Sequence, residues 1–313
     1  MKAMNKNQII GGIMGAIVGD ALGVPVEFTS RKELMENLVD DMREYGTYNQ
    51  PKGTWSDDSS MILCTIESLL NGIDYEDLGR KFCRWLEDAY WTPYGEVFDV
   101  GRTTFSSIIS MQNGRSALES GLDGEYDNGN GSLMRILPLA FYLYNTEQEK
   151  REEIVAKVSS ITHSNGISIF ACYLYVEYAI GLLEGLGKRQ AYSRIQKIRG
   201  RGYRKEAFRR IQNGDISSYR MEDIYSSGYV IHSLEAALWC FITTTSYKEC
   251  VLKAVNLGDD TDSLACIAGG LAGIFYGYNK IPVEWINAVA RKNDILKLSD
   301  AFIVKLKEKE SFN

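Results

Sequence analysis

The segment Ile9–Gly23, IIGGIMGAIVGDALG, carries glycine at positions 11, 15, 19 and 23. A four-residue recurrence repeats on one helix face, so these glycines form a smooth stripe that a second helix can approach closely. Glycine is a poor helix former, and such a stripe needs a packing or functional reason. The spacing is not G-x-G-x-x-G and no strand pattern precedes it, so a dinucleotide-binding turn is not expected. Asp20 interrupts the apolar run and Pro25 follows. The clean apolar part is then too short to span a bilayer, and no small-residue cleavage site is evident. Neither a signal peptide nor a membrane anchor is expected.

Helical patterns continue outward from this segment. Residues 59–70 place Met61, Ile62, Ile66, Leu69 and Leu70 at helical intervals, and 76–91 do the same with Leu78, Phe82, Trp85 and Leu86. Residues 132–145, 151–161, 166–186, 231–245, 247–256 and 262–277 also read as helices, while period-two alternation is scarce. The chain has 313 residues, 45% of them hydrophobic, and five prolines. That content fills one large, mostly helical domain over 1–313. A net charge of −6 argues against general nucleic-acid binding. Six cysteines (64, 83, 172, 240, 250 and 266) form no C-x-x-C pair and lie mostly in apolar stretches. They read as reduced, packed thiols, which points to the cytoplasm. A monomer is the default expectation. The basic stretch Lys197–Arg210 reads as a solvated face, with docking to an acidic partner or substrate as the alternative.

Two acidic clusters stand about 200 residues apart. Ser56-Asp57-Asp58-Ser59 lies in GTWSDDSSM, and Asp259-Asp260-Thr261-Asp262-Ser263 lies in NLGDDTDSLACIAGG. Each sits where a helix is expected to begin, and one such residue would serve as an ordinary N-cap. A cap needs only one short polar side chain, however, and adjacent carboxylates repel unless a cation offsets them. Oxygen-only donors suit Mg²⁺, Mn²⁺ or Ca²⁺, whereas zinc normally takes His or Cys. The two histidines, His163 and His232, are remote from both clusters in sequence. No EF-hand loop follows Asp57 or Asp260. Asp20, Glu27 and Asp99 are further polar candidates. Gly129-Asn130-Gly131-Ser132 reads either as a plain turn or as a phosphate cradle at a following helix start. His163, in THSN, reads as a substrate contact or a cap.

The ordered set GGIMGAIVGDALGVPVEF, GTWSDDSSM, DVGRTT, GNGSLMR, THSN and SGYVIHSLEAALWCF followed by NLGDDTDSLACIAGGLAGIFYG resembles the ADP-ribosylglycohydrolase family. The resemblance runs from about Ile10 to Gly277. It implies a compact, all-α, orthogonal helical bundle with a binuclear Mg²⁺ or Mn²⁺ centre in a cleft. The family's T-D-D-T and D-x-D-T motifs correspond here to Ser56, Asp57 and Asp58, and to Asp260, Asp262 and Ser263, with serine hydroxyls in place of threonine. The usual G-G-D reads Gly258-Asp259-Asp260, which adds a carboxylate. Glu27 matches a family glutamate near the metals. Asp99 matches an aspartate implicated in catalysis or substrate positioning. Gly129 to Ser132 and His163 resemble loops that line the ADP-ribose site.

The implied activity is hydrolysis of the glycosidic bond that joins ADP-ribose to an acceptor. The general look is that of the arginine-directed bacterial branch, so the implied partner is ADP-ribosyl-arginine on a protein. Serine-linked, nucleobase-linked and small-molecule conjugates stay open as substrates. A non-catalytic ADP-ribose-binding or structural relative is the rival class, and an unrelated Mg²⁺ phosphohydrolase would release AMP or phosphate instead.

Overall fold

The computed structural model describes residues 4–199 and 205–311. The chain is 64% helical with no β-strand among the described residues, the all-α class that the sequence suggests. The elements that position the site are α1 (Lys6–Gly23), α2 (Asp57–Leu69), α3 (Arg102–Gln112), α4 (Gly166–Leu183), α5 (Val230–Ile242), α6 (Tyr247–Val255), α7 (Thr261–Tyr276) and α8 (Lys292–Ser311).

The glycine stripe of α1 lies against α7. A Cβ added at Gly11, Gly19 or Gly23 would overlap the backbone of Gly273, Ala265 and Asp262 respectively, and Gly15 meets Gly269 in the same way. Residue numbers rise along one helix as they fall along the other, so the pair is antiparallel. Its contact is backbone on backbone, closer than side chains normally allow. Both helices are buried on nearly every face, as expected of helices that are apolar all round. The Tyr247 hydroxyl of α6 donates to the Gly15 carbonyl at 2.7 Å and covers the same pair.

This pairing brings the C-terminal end of α1, with Asp20, beside the N-terminal end of α7, with Asp262. A 3₁₀ turn at Val24–Val26 carries Pro25, ends the helical run and leads into Glu27. Trp55 is fully buried and donates its indole N–H to the Ala290 carbonyl at 3.0 Å, which fixes the chain as it enters α2. The Arg31 guanidinium donates to the carbonyls of Leu257 (2.8 Å), Met221 (2.7 Å) and Ile224 (2.6 Å). One side chain thus ties the segment after Glu27 to the two loops that precede α5 and α7.

The structure corrects three expectations. Residues 132–145 are not one helix; only Pro138–Tyr142 is α-helical, with turns before it. Pro138 has no N–H to donate and fits only at a helix start. Asp20 lies inside α1 instead of ending it, so the length argument against a membrane span fails. Lys6–Val26 and Gly166–Leu183 are long and apolar enough to cross a bilayer, yet 94% and 89% of their apolar windows are buried within the fold. The second acidic cluster's helix and the others predicted above appear with ends shifted by a few residues, and 76–91 stops at Asp88 with Ala89 left-handed. Within the basic stretch, residues 200–204 lie outside the described residues. Arg210 is committed to the fold, with Nη2 donating to the Asp223 carbonyl at 2.7 Å and Nε 3.1 Å from the Glu235 carboxylate. All six cysteines are unpaired, and every one but Cys83 is buried.

Candidate active site

The first acidic cluster is built by a cap. Asp20 accepts the Ser56 N–H at 3.0 Å and the Ser59 N–H at 3.0 Å, and it also accepts the Ser59 hydroxyl. The opening N–H groups of α2 are therefore satisfied by a side chain from α1, with Ser56 as N-cap accepting the Asp58 N–H at 3.3 Å. Capping by Asp20 leaves Asp57 and Asp58 free for other work. Asp58 Oδ2 accepts the hydroxyls of Ser56 (3.2 Å) and Ser263 (3.1 Å), so the two clusters touch. Asn130 donates its amide to Asp260 Oδ2 at 2.8 Å. Asp262 is fully buried and accepts the Ser263 N–H at 2.8 Å.

Glu27 and Asp99 complete the group. Carboxylate oxygens of Glu27, Asp99 and Asp262 all lie within 4.8 Å of one another. Asp20, Glu27, Asp57, Asp58, Asp99, Asp260 and Asp262 share one region, and among the described residues none of them is in an ion pair. Glu27 Oε2, Asp58 Oδ1 and Asp262 Oδ2 are buried with no hydrogen-bond partner in the protein. Orphaned carboxylate oxygens beside like charges are costly unless a cation fills the space between them. The donor set is all oxygen, which fits a hard divalent ion.

Above this acidic floor is a cavity of about 630 Å³. Glu27, Asp57, Asp99, Asp260 and Ser263 line it, together with Gly129, Asn130, Gly131 and His163. Phe28, Arg102, Thr104, Tyr126 and Asp259 face it as well. The opening is large enough for a nucleotide-sized ligand.

The profile of the ADP-ribosylglycohydrolase family matches residues 1–311. The chain belongs to that family. An ADP-ribosylarginine hydrolase, Tri1, of Pseudomonas putida is 32% identical over 92% of this chain and 76% of its own length. The ADP-ribosyl-[dinitrogen reductase] glycohydrolase of Rhodospirillum rubrum is 27% identical over 95% of this chain and 96% of its own. A solved structure titled ADP-ribosylglycohydrolase-related protein complex superposes with a TM-score of 0.83 at 28% identity, over 96% of this chain and 98% of that one.

The structure brings most of the candidate residues named above into one region and places others away from the cavity. Ser132 does not face the cavity: its hydroxyl accepts from Ser159 at 3.0 Å and lies 3.3 Å from the Cys172 sulfur, in the core. The Asn130 N–H is already donated to the Gly228 carbonyl at 3.0 Å, so it adds nothing to a backbone cradle, and turns follow the loop in place of a helix start. His163 is buried in the wall with Nδ1 2.9 Å from the Thr162 hydroxyl. Burial, then Arg135, pushes its pKa down to about 3, so it faces the site as a neutral imidazole. Asp259 adopts φ 60° and is exposed, with Oδ2 accepting the Ser226 hydroxyl at 2.9 Å. Tyr48 went unnoticed in the sequence; its phenol lies beside Glu27 and Asp99, and burial, then those two carboxylates, pushes its pKa well up. No motif marks it, since it reaches the site from a loop about 20 residues past Glu27.

The acidic floor makes stability depend on pH and cations. Burial, then Asp99 and Asp260, pushes Glu27 up to about 9. Burial raises Asp20 and Asp260 each to about 6, against hydrogen bonds that favour the charged form. Asp57, Asp58 and Asp262 are raised further, by burial first and neighbouring carboxylates second. The folded cluster therefore holds protons that the unfolded chain has lost, and the cation-free fold weakens as pH rises from about 4.5 to about 9. The expected result is a lower melting temperature at pH ~8.5 than at ~5.5 in EDTA. Saturating Mg²⁺ or Mn²⁺ should raise it more at the higher pH, because ligand bound only to the fold adds stability. A cation shift of the same size at both pH values would contradict this account.

Proposed function

We propose that this glycohydrolase is a divalent-cation-dependent hydrolase that removes ADP-ribose from arginine, with an ADP-ribosylated protein as its substrate. The observation that carries the reading is the set of three orphaned carboxylate oxygens of Glu27, which lines the cavity, and of Asp58 and Asp262, buried among the same carboxylates. The name of the Pseudomonas relative supports the arginine linkage, and that of the Rhodospirillum relative supports a protein substrate.

Two cations, Mg²⁺ or Mn²⁺, would be held by Asp57, Asp58, Asp260 and Asp262, with Ser56 and Ser263 at the edge. Bound there, they supply positive charge that neutralises the floor and polarises oxygen atoms of the ribose. The chain's own groups do the rest. Glu27 or Asp99 accepts a proton from the attacking water as its oxygen bonds to the anomeric carbon. The bond from that carbon to the guanidine nitrogen breaks with oxocarbenium character, its electron pair goes to that nitrogen, and the carboxyl passes the proton taken from water to the departing guanidine. The Tyr48 phenol, beside both carboxylates, is placed to steady them. Neutral His163 and the Gly129–Gly131 loop hold the sugar and diphosphate against the wall.

The test is release of intact ADP-ribose from an arginine-ADP-ribosylated protein with Mg²⁺, Mn²⁺ or EDTA. Release with cation and none in EDTA supports the reading. AMP or phosphate as product, or equal release in EDTA, would overturn it. Asp99→Asn and Glu27→Gln separate the two acceptors of the proton, and the true base should cost about 10²–10⁴ in kcat. Wild-type rates in both would remove that step from the mechanism.

A further inference from the structure

Two neighbouring residues on the cavity lining hold an unfavourable backbone. Phe28 has φ 61° and Asp259 has φ 60°, the left-handed region that disfavours a bulky residue such as Phe strongly and Asp less. They are laced together: the Phe28 N–H donates to the Asp259 carbonyl at 2.7 Å, and the Asp259 N–H donates to the Thr29 carbonyl at 2.9 Å. Next door, Gly258 at φ 77° is a glycine with reason, because a Cβ there would crowd the backbone of Arg31. Phe28 has no comparable packing reason to carry its side chain, whereas the Asp259 carboxylate is held by the Ser226 hydroxyl at 2.9 Å. The Phe28 ring is 68% exposed, so burial does not offset its strain. Strain of this kind in a site lining points to a ligand.

The chemistry of the pair is specific. An open aromatic face next to a carboxylate recognises a planar cation, which stacks on the ring and donates to the oxygens. The carboxylate is preset: Ser226 donates to Asp259 Oδ2 at 2.9 Å, and Arg31 Nη2 donates to the Ser226 hydroxyl at 3.2 Å. The charge of Asp259 would repel a diphosphate, whereas Arg102, paired with Asp127 at 2.7 Å, lines the cavity with the opposite sign. Phe28 and Asp259 also adjoin Glu27 and Asp260 in sequence, and all four line the cavity.

We infer that Phe28 and Asp259 form the acceptor subsite, where the guanidinium of the modified arginine stacks on the Phe28 ring and pairs with the Asp259 carboxylate. This inference rests on the hydrolase reading above and assigns its choice of acceptor to these two side chains.

The test compares arginine-linked and serine-linked ADP-ribosyl peptides, which share everything except the acceptor. Phe28→Ala should lower the ratio of their kcat/KM values about tenfold, and Asp259→Gly about fivefold. Phe28→Tyr should keep the wild-type ratio. Asp259→Gly suits φ 60° and so separates selectivity from folding. An unchanged ratio in both Phe28→Ala and Asp259→Gly overturns the subsite. If the wild-type chain cleaves neither peptide, the hydrolase reading is lost, and the subsite is judged on agmatine by saturation-transfer NMR. A signal seen in wild type and absent in Phe28→Ala supports it. Equal signals, or none in wild type, overturn it.

Discussion

Asp262→Asn is expected to lower ADP-ribose release by about a thousandfold or more, the size of loss that follows removal of a principal electrostatic group from an active site. Asp262 is fully buried, one of its oxygens has no partner, and it shares a 4.8 Å cluster with Glu27 and Asp99. The amide has the same shape but no charge, and its NH₂ can donate to the carboxylates beside it. The cation-free variant should therefore fold and melt at a higher temperature than cation-free wild type, since the cost of keeping a buried carboxyl protonated among other carboxyls is gone. The rise in melting temperature on adding Mn²⁺ should shrink or vanish. Loss of activity together with loss of cation-free stability would mean that Asp262 is structural. Wild-type turnover would remove it from the site altogether.

Gly19→Leu is expected to have the largest effect on folding. The new side chain would enter the backbone of Ala265 on α7, which cannot move aside as a flexible side chain could. Overpacking against side chains costs about 1–3 kcal/mol, and against backbone the upper end or more applies. Gly19→Ala should already lower the denaturant midpoint clearly. Gly101→Ala, whose Cβ would meet nothing closer than 4.0 Å, should stay close to wild type. Equal effects at Gly19 and Gly101 would show that the stripe is not a close contact. Because Gly23 abuts Asp262, any folded variant of the stripe should also bind Mn²⁺ more weakly, with the spacing of Asp20 and Asp262 disturbed.

The parts of this molecule legible in the sequence are those that leave a local pattern. The four-residue glycine spacing predicts a close helix contact, and α1 and α7 supply it. Paired Asp and Ser at two helix starts predict an acidic site, and the Ser263–Asp58 hydrogen bond joins the two starts. Features that depend on long-range closure were hidden. Asp20 reads as an interruption of an apolar run because its partners, Ser56 and Ser59, lie 36 and 39 residues away. Tyr48 and Phe28 have no periodicity to mark them, and a left-handed φ cannot be read from a phenylalanine. The 132–145 error had a local cause, since Pro138 was visible and outweighed the apolar pattern around it. Ser132 was misplaced because a turn residue can face either the cavity or the core, and only the packing of Ser159 and Cys172 decides.

The antiparallel union of α1 and α7 also has a cost during synthesis. The helix made first must wait for a partner that begins about 240 residues later, which at ribosomal speeds of about 5–20 residues per second is roughly 12–50 s. Throughout that interval an 18-residue segment, apolar on every side, has left the ribosome with nothing to cover it. The acidic floor is likewise incomplete until Asp260 and Asp262 emerge. A nascent chain of this protein is thus both sticky and inert until its last quarter is translated, and a truncated product would have neither a closed core nor a cation site.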